Sequence, residues 1–467
     1  MLFVSAGFLF AFLPLFLLTF MAVPARARRV VLLVGSLVFY LLSHLFRPFS
    51  ILVLWVAVLG HYFAGILLHR RRDRALLALF IAVDLLALVS LRLLCNQMSS
   101  QYYFPFPTGA SLYLLMGISY LIEHYRDPSL RADDLFQTAL YLTFFPIMLA
   151  GPLIRFRDFN EQCGRLSFRM DTFARGARVF TVGLVKVMVA AVLCEAYDNI
   201  LQYGNMQVNL AIGFLSLCMM YLIVFFAFSG YSDMGVGLCS MMGMSLHRDY
   251  RNPVTATSPM GYLRGFFVSL YDFWEDYVSG PLTALMPRFP WLRRLTDRTL
   301  YVLALTLWFR TDRSAVLIAL PLLAAVLLEE LTPIGRFFKR HIGKPFGWLL
   351  TFSVAVFYWT LQRLGSYAKL GEYLNNLREV SGSYQSLYTY ATSIGSDIII
   401  VTVVALVILL PLSHTGQSLM QPAVGRRQKI GEAAVMVLLM ALLLLTFVYF
   451  IPQFPHYAVD PYRYFII

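Results

Sequence analysis

Apolar runs long enough to cross a bilayer recur along the whole of this chain. They lie near residues 2–22, 30–46, 50–68, 75–94, 109–122, 178–197, 208–228, 314–331, 347–364, 394–412 and 432–451. A hydrocarbon core of about 30 Å takes about 20 apolar residues to span as a helix. Lipid offers the backbone no hydrogen bonds, so such runs must satisfy their own polar groups as helices. Only 13% of residues are charged while 59% are hydrophobic, and a soluble domain carries about twice that charge. The expected fold is an all-α, polytopic integral membrane bundle of about 11 or more spans. With no repeat, low-complexity run or long linker, residues 1–467 read as a single integral domain.

Shorter apolar stretches near 135–153, 230–244, 262–286 and 299–309 are interrupted by Gly, Pro and charge. They read as broken, re-entrant or interfacial helices, which are tolerated only inside protein or beside a water-filled cavity. Polar residues enter apolar surroundings there, so residues of about 145–315 are the expected functional centre.

The net charge of +13 does not point to nucleic acid. The basic residues fall in short loops between apolar runs, where they act as topology signals, and no aromatic-basic nucleic-acid module is present. Arg26/Arg28/Arg29, Arg70/Arg71/Arg72/Arg74 and His124/Arg126/Arg131 follow spans one, three and five. The alternation puts all three clusters on the cytoplasmic side and the N-terminus outside. Arg336/Lys339/Arg340/Lys344 and Arg426/Arg427/Lys429 fit the same side. The first apolar run has no basic residues before it and reads as an uncleaved span. Five scattered cysteines form no CxxC pair, so neither a disulfide framework nor a metal site is expected.

Several residues could carry chemistry. Gly151-Pro152 breaks a helix just before Arg155 and Arg157. Arginines there could meet the phosphates of a thioester donor, although snorkelling at a membrane-interface turn is the simpler account. Ser229-Gly-Tyr231-Ser232-Asp233 interrupts an apolar run. A carboxylate at membrane depth needs partners, and the neighbouring hydroxyls would hold a helix break. Arg264, Asp272, Trp274, Glu275 and Asp276 mix with aromatics at helical spacing, as on an interfacial helix or a cavity wall. Of eight histidines, only His247 lies near these interrupted segments, and none adjoins a nucleophile motif.

Five motifs then accumulate in one order. Leu13-Pro14-Leu15 opens the series, followed by Pro107-Thr-Gly-Ala-Ser-Leu112 with Ile118-Ser-Tyr-Leu-Ile-Glu-His-Tyr-Arg126. Ala150-Gly-Pro-Leu-Ile-Arg-Phe-Arg157, Phe228-Ser-Gly-Tyr-Ser-Asp-Met234 and the tail Tyr462-Arg-Tyr-Phe-Ile-Ile467 complete it. Together they resemble the membrane-bound O-acyltransferases, in the branch that acylates alginate and transfers D-alanine. The resemblance implies a bundle with a central tunnel, a bacterial cytoplasmic (inner) membrane location, and transfer from an acyl-CoA or acyl-carrier thioester. It also implies a buried histidine that activates an acceptor hydroxyl.

The departures from the family pattern cluster where that chemistry belongs. Its Phe-Trp-Arg-Arg-Trp-His-Ile-Ser-Leu falls on Tyr262 to Leu270, with Asp276-Tyr277 and Pro281-Leu282 continuing the register. Phe267 stands at the first histidine. Leu-Trp-His-Gly becomes Leu307-Trp308-Phe309-Arg310, so Phe309 stands at the second, and Ala227 replaces an Asp. Phenylalanine neither accepts a proton nor hydrogen-bonds a hydroxyl. No catalytic residue is therefore assigned. Tyr231, Ser232, Asp233, Arg264, Asp276, Trp308 and Arg310 remain as candidate tunnel or polar-network residues, and Arg155 and Arg157 as candidate donor-phosphate contacts.

Three functions are consistent with this pattern. The first is a non-catalytic scaffold, without a bound cofactor, working with other proteins of cell-envelope polysaccharide acylation or export. The second is an acyltransferase using Asp233, Ser232, Tyr231 or His247. The third is a transporter or lipid-handling protein built on the broken helices. An active paralogue encoded nearby would favour the first.

Overall fold

A computed structural model describes residues 3–45, 47–98, 106–130, 134–202, 210–251, 253–332, 343–378 and 437. Among these residues there are helices and turns and no strand. The fold is all-α and its long apolar helices are those of a membrane-embedded protein. Four described helices are both long and apolar enough to cross a membrane: Pro48–Arg71, Arg74–Cys95, Met170–Cys194 and Gly213–Met241. The runs expected at 394–412 and 432–451, the basic loop 426–429 and the tail motif lie outside the described residues, residue 437 apart.

Two compact units divide the chain, one formed by Met1–Phe180 with Tyr231–Arg248, the other by Thr181–Gly230 with Asp249 onward. The first unit opens with a π-helical turn and α1 (Leu13–Ala22), then α2 (Arg28–Ser43), α3 (Pro48–Arg71), α4 (Arg74–Met98) and α5 (Ala110–Arg126). Short helices α6 (Leu135–Leu142), α7 (Phe145–Met148) and α8 (Phe156–Gly164) follow. Its core is largely aromatic: Phe8, Phe12, Phe39 and Phe145 meet at centroid distances of 5.5–5.8 Å. Such edge-to-face and offset contacts pack rings without polar partners.

The basic clusters meet at one end of this unit, as the alternation of charge requires. Arg29 at the start of α2 donates from Nε to the Cys163 carbonyl in α8 (3.0 Å). The Arg157 amide donates to Glu123 near the end of α5 (2.6 Å). Arg72, just past α3, and Arg157 both act electrostatically on Asp127.

Helix α9 (Met170–Gln202) and helix α10 (Leu210–Met241) each run through a unit boundary. Ser229-Gly-Tyr-Ser-Asp233 does not interrupt a helix, because α10 is continuous through it. The reason is packing. A Cβ on Gly230 would sit 2.8 Å from the Gly183 carbonyl oxygen and 2.7 Å from Val187 in α9. The small residue serves close helix approach, which outweighs glycine's cost of about 1 kcal/mol within a helix. The stretch 299–309 is likewise unbroken, forming the end of a 20-residue helix.

In the second unit, α11 (Pro259–Phe266), α12 (Val268–Trp274), a π-helical turn (Glu275–Ser279) and α13 (Gly280–Leu285) replace one long helix. The interruption expected over 262–286 is therefore present. Then come α14 (Pro290–Phe309), α15 (Ala315–Leu331), α16 (Gly343–Leu364) and α17 (Tyr367–Arg378). Helix α15 packs against α11, α14 and α16.

Candidate functional site

The break between α11 and α12 falls at Phe267, whose backbone leaves the helical region at φ −141°, ψ 78°. Residues 249–251 strap it. The Arg251 amide donates to the Gly265 carbonyl and the Val268 amide to the Asp249 carbonyl, both at 2.8 Å. The Asp249 carboxylate accepts the Ser269 amide at 2.6 Å. Amides that start a helix have no partner within it, and Asp249 supplies one from another segment. Gly265 permits the strap, since a Cβ there would lie 2.5 Å from the Arg251 carbonyl oxygen.

Asp249 is buried, 3% exposed. Burial pushes its carboxyl up to about 6, against the lowering effect of the Ser269 hydrogen bonds, and Asp272 raises it slightly further. A carboxyl surrounded by low dielectric resists ionisation unless a cation or several donors compensate.

The ring of Phe267 is half-buried and that of Phe309 is 3% exposed. They lie 6.1 Å apart, close to parallel, and both meet Phe228 edge-on, at 5.8 and 5.5 Å. Phe266 and Tyr250 flank Phe267, and Trp359 closes on Phe309 at 4.9 Å. This surround is apolar apart from the Trp359 indole N–H, which Tyr262 accepts at 2.6 Å, and the Tyr250 hydroxyl.

The remaining candidates divide between the units. Tyr231, Ser232 and Asp233 are buried in the first. Asp233 was expected to rely on nearby hydroxyls, yet its charged neighbour is Arg248, with Nε 3.3 Å from Oδ1 in an ion pair set off the hydrogen-bond direction. The sequence reading missed Arg248, although a lone Arg just past a long apolar run was the available signal. His247 beside it is exposed. Arg155 is half-buried and Arg157 exposed at the start of α8, also in the first unit.

In the second unit, Arg264 is exposed and stacks over Tyr271, to whose hydroxyl its Nε donates at 3.3 Å. Asp276 is half-buried in the π-helical turn, and Trp308 is half-buried near the end of α14. Arg310 terminates α14, donating to Asp312 and to the Gln362 carbonyl, both at 2.6 Å, and so ties α14 to α16. A polar cluster that sequence reading did not single out lies in the first half of α14, well away from Arg310. Asp297 accepts from Trp274 (2.9 Å), Ser279 (2.5 Å) and Arg298 (2.8 Å), and Arg298 also pairs with Glu330 (2.9 Å). Each group in it has a partner, as a buried charged network requires.

Residues 80–288 match the model of the MBOAT, membrane-bound O-acyltransferase, family. Among curated proteins, the probable alginate O-acetylase AlgI of Pseudomonas fluorescens is 30% identical over 289 residues, 60% of this chain and 56% of the relative. The peptidoglycan O-acetyltransferase of Helicobacter pylori is 25% identical over 339 residues, 60% of this chain and 62% of the relative. The teichoic acid D-alanyltransferase of Bacillus subtilis is 23% identical over 197 residues, 39% of this chain and 49% of the relative. The chain thus spans less than two thirds of the length of these curated relatives. The matched region includes Phe267 and ends before Phe309.

Proposed function

From the premise that this chain carries a membrane-bound O-acyltransferase family domain over residues 80–288, we infer that it is a member that no longer catalyses acyl transfer. It serves as a membrane scaffold or partner in cell-envelope polysaccharide acylation or export, in the bacterial inner membrane. The polysaccharide context comes from the names of the alginate and peptidoglycan relatives.

One observation carries this reading. The two positions that the resemblance gives to histidines hold Phe267 and Phe309, and their rings pack on each other and on Phe228. The surround of both positions is made of rings. Loss of a general base alone typically removes ~10²–10⁴-fold of rate. Loss of both positions leaves no histidine to activate an acceptor hydroxyl.

Restoring one histidine tests this. Phe309→His should yield no transfer from acetyl-CoA to a sugar hydroxyl, because Phe267, Ala227 and Arg310 also depart from the pattern and residues of one catalytic unit act together. Strong activity from that single change would show an otherwise intact catalytic site.

Asp249 favours a second reading, a weakly active transferase. It is a buried carboxyl with its pKa near 6, two residues from Phe267 through the Ser269 amide, and groups poised near neutrality suit acid–base work. Acyl transfer by the unmodified protein that disappears in Asp249→Asn, with folding intact, would select it.

A further inference from the structure

Every Lys or Arg before Lys186 is an arginine. Six of these sit exposed at one end of the first unit, on four helix ends: Arg29 (α2), Arg70, Arg71 and Arg72 (α3), Arg126 (α5) and Arg157 (α8). The ends are tied together. Arg28 and Arg29 donate to the carbonyls of Leu166 and Cys163 (3.3 and 3.0 Å), and the Arg157 amide to Glu123 (2.6 Å). Between them, the Asp127 carboxyl is held below its usual range by Ser129, with smaller contributions from Arg157 and Arg72.

Helix α8 lies at this end. It buries Phe156 and Phe159 against Tyr120, Tyr141 and Phe144 of the same unit and exposes Arg157, Asp158 and Glu161. Two spans that reach this end, α3 and α4, turn their sides outward. Only 33% of the apolar window of α3 and 17% of that of α4 are buried, against 83% and 78% for α9 and α10. Apolar faces left so open suit contact with lipid tails, which would bring Arg70–Arg72 at the end of α3 to headgroup level.

We propose that this arginine-rich end is a docking surface for the phosphate groups of anionic phospholipids. Arginine's planar fork pairs two N–H groups with two phosphate oxygens, which a lysine cannot do. Basic residues next to a bilayer are attracted to anionic headgroups, and the attraction fades over a Debye length. The six side chains are spread over four helix ends, with three of the six on the outward-facing α3. That spread suits several lipid molecules better than one soluble nucleotide, which needs convergent donors.

The test compares thermal stability of the full chain in nanodiscs of phosphatidylcholine alone and with a third of it replaced by phosphatidylglycerol. The anionic discs should raise the midpoint by several degrees, and molar salt should remove the rise. The triple variant Arg71→Gln/Arg72→Gln/Arg157→Gln should melt as the parent does in neutral discs and lose most of the rise in anionic ones. If that variant does not fold, the salt titration of the unmodified protein decides. Equal midpoints in both discs, or a rise that survives molar salt, would overturn the proposal. So would free coenzyme A stabilising the protein in neutral discs while phosphatidylglycerol does not.

Discussion

Phe267 and Phe309 stack with ring centroids 6.1 Å apart, although 42 positions separate them in the chain. The contact joins the break between α11 and α12 to the last turn of α14. It occupies the positions to which the family resemblance gives two histidines.

Phe309 is the more buried ring and touches Phe228, Phe267 and Trp359. Phe309→Ala should cost about 3–5 kcal/mol, the usual range for a buried phenylalanine. Phe267→Ala should cost less, since its ring is half-buried and the break is held by Asp249. Melting of the two variants in detergent gives the ranking. A larger loss for Phe267→Ala would mean that the ring, not the strap, holds the break.

Asp233 and Arg248 form a buried ion pair in the first unit, with side chains 7% and 9% exposed. Asp233→Ala leaves the guanidinium without its counter-charge and should cost about 3–5 kcal/mol. Asp233→Ala/Arg248→Met removes both charges and should recover much of that loss. If the double variant is no better than the single one, the pair is not the reason Asp233 is needed.

Asp249 makes stability depend on pH with a defined sign. Its folded pKa, about 6, lies above the reference value of 3.8. Between these values the folded state holds a proton that the unfolded chain has released. Stability therefore falls as pH rises from about 4 to 6, by about 1.4 kcal/mol per unit at most, and is level above that window. Asp249→Asn should flatten this segment of the profile while keeping an acceptor for the Ser269 amide. An unchanged slope in that variant would assign the titration elsewhere.

Much of the fold was legible in the sequence. Long apolar runs gave helices α3, α4, α9 and α10, and alternating arginine clusters correctly grouped the ends of α2, α3 and α5. The break in 262–286 was legible from its polar content. Ser229–Asp233 misled because glycine and serine signal both helix breaks and close helix packing. The sequence does not contain Gly183 and Val187 of α9 as neighbours, and they decide between the two. Phe267 and Phe309 were matched to the family's histidines by register, and the fold brings their rings together. Asp249 was missed because its partners, Val268 and Ser269, are backbone amides that no side-chain motif reveals. Arg248 was missed because its pairing with Asp233 is set by the turn after α10.

The most direct test of the central claim is acyl transfer by the unmodified protein reconstituted in vesicles. Labelled acetyl-CoA or an acyl-carrier thioester would be supplied with a polysaccharide acceptor, and the label on the polymer followed across pH 5–9. The account predicts no transfer above that of empty vesicles at any pH. Transfer well above that background, abolished by Asp249→Asn or Asp233→Asn in folded protein, would contradict it and establish a transferase that works without histidine at positions 267 and 309.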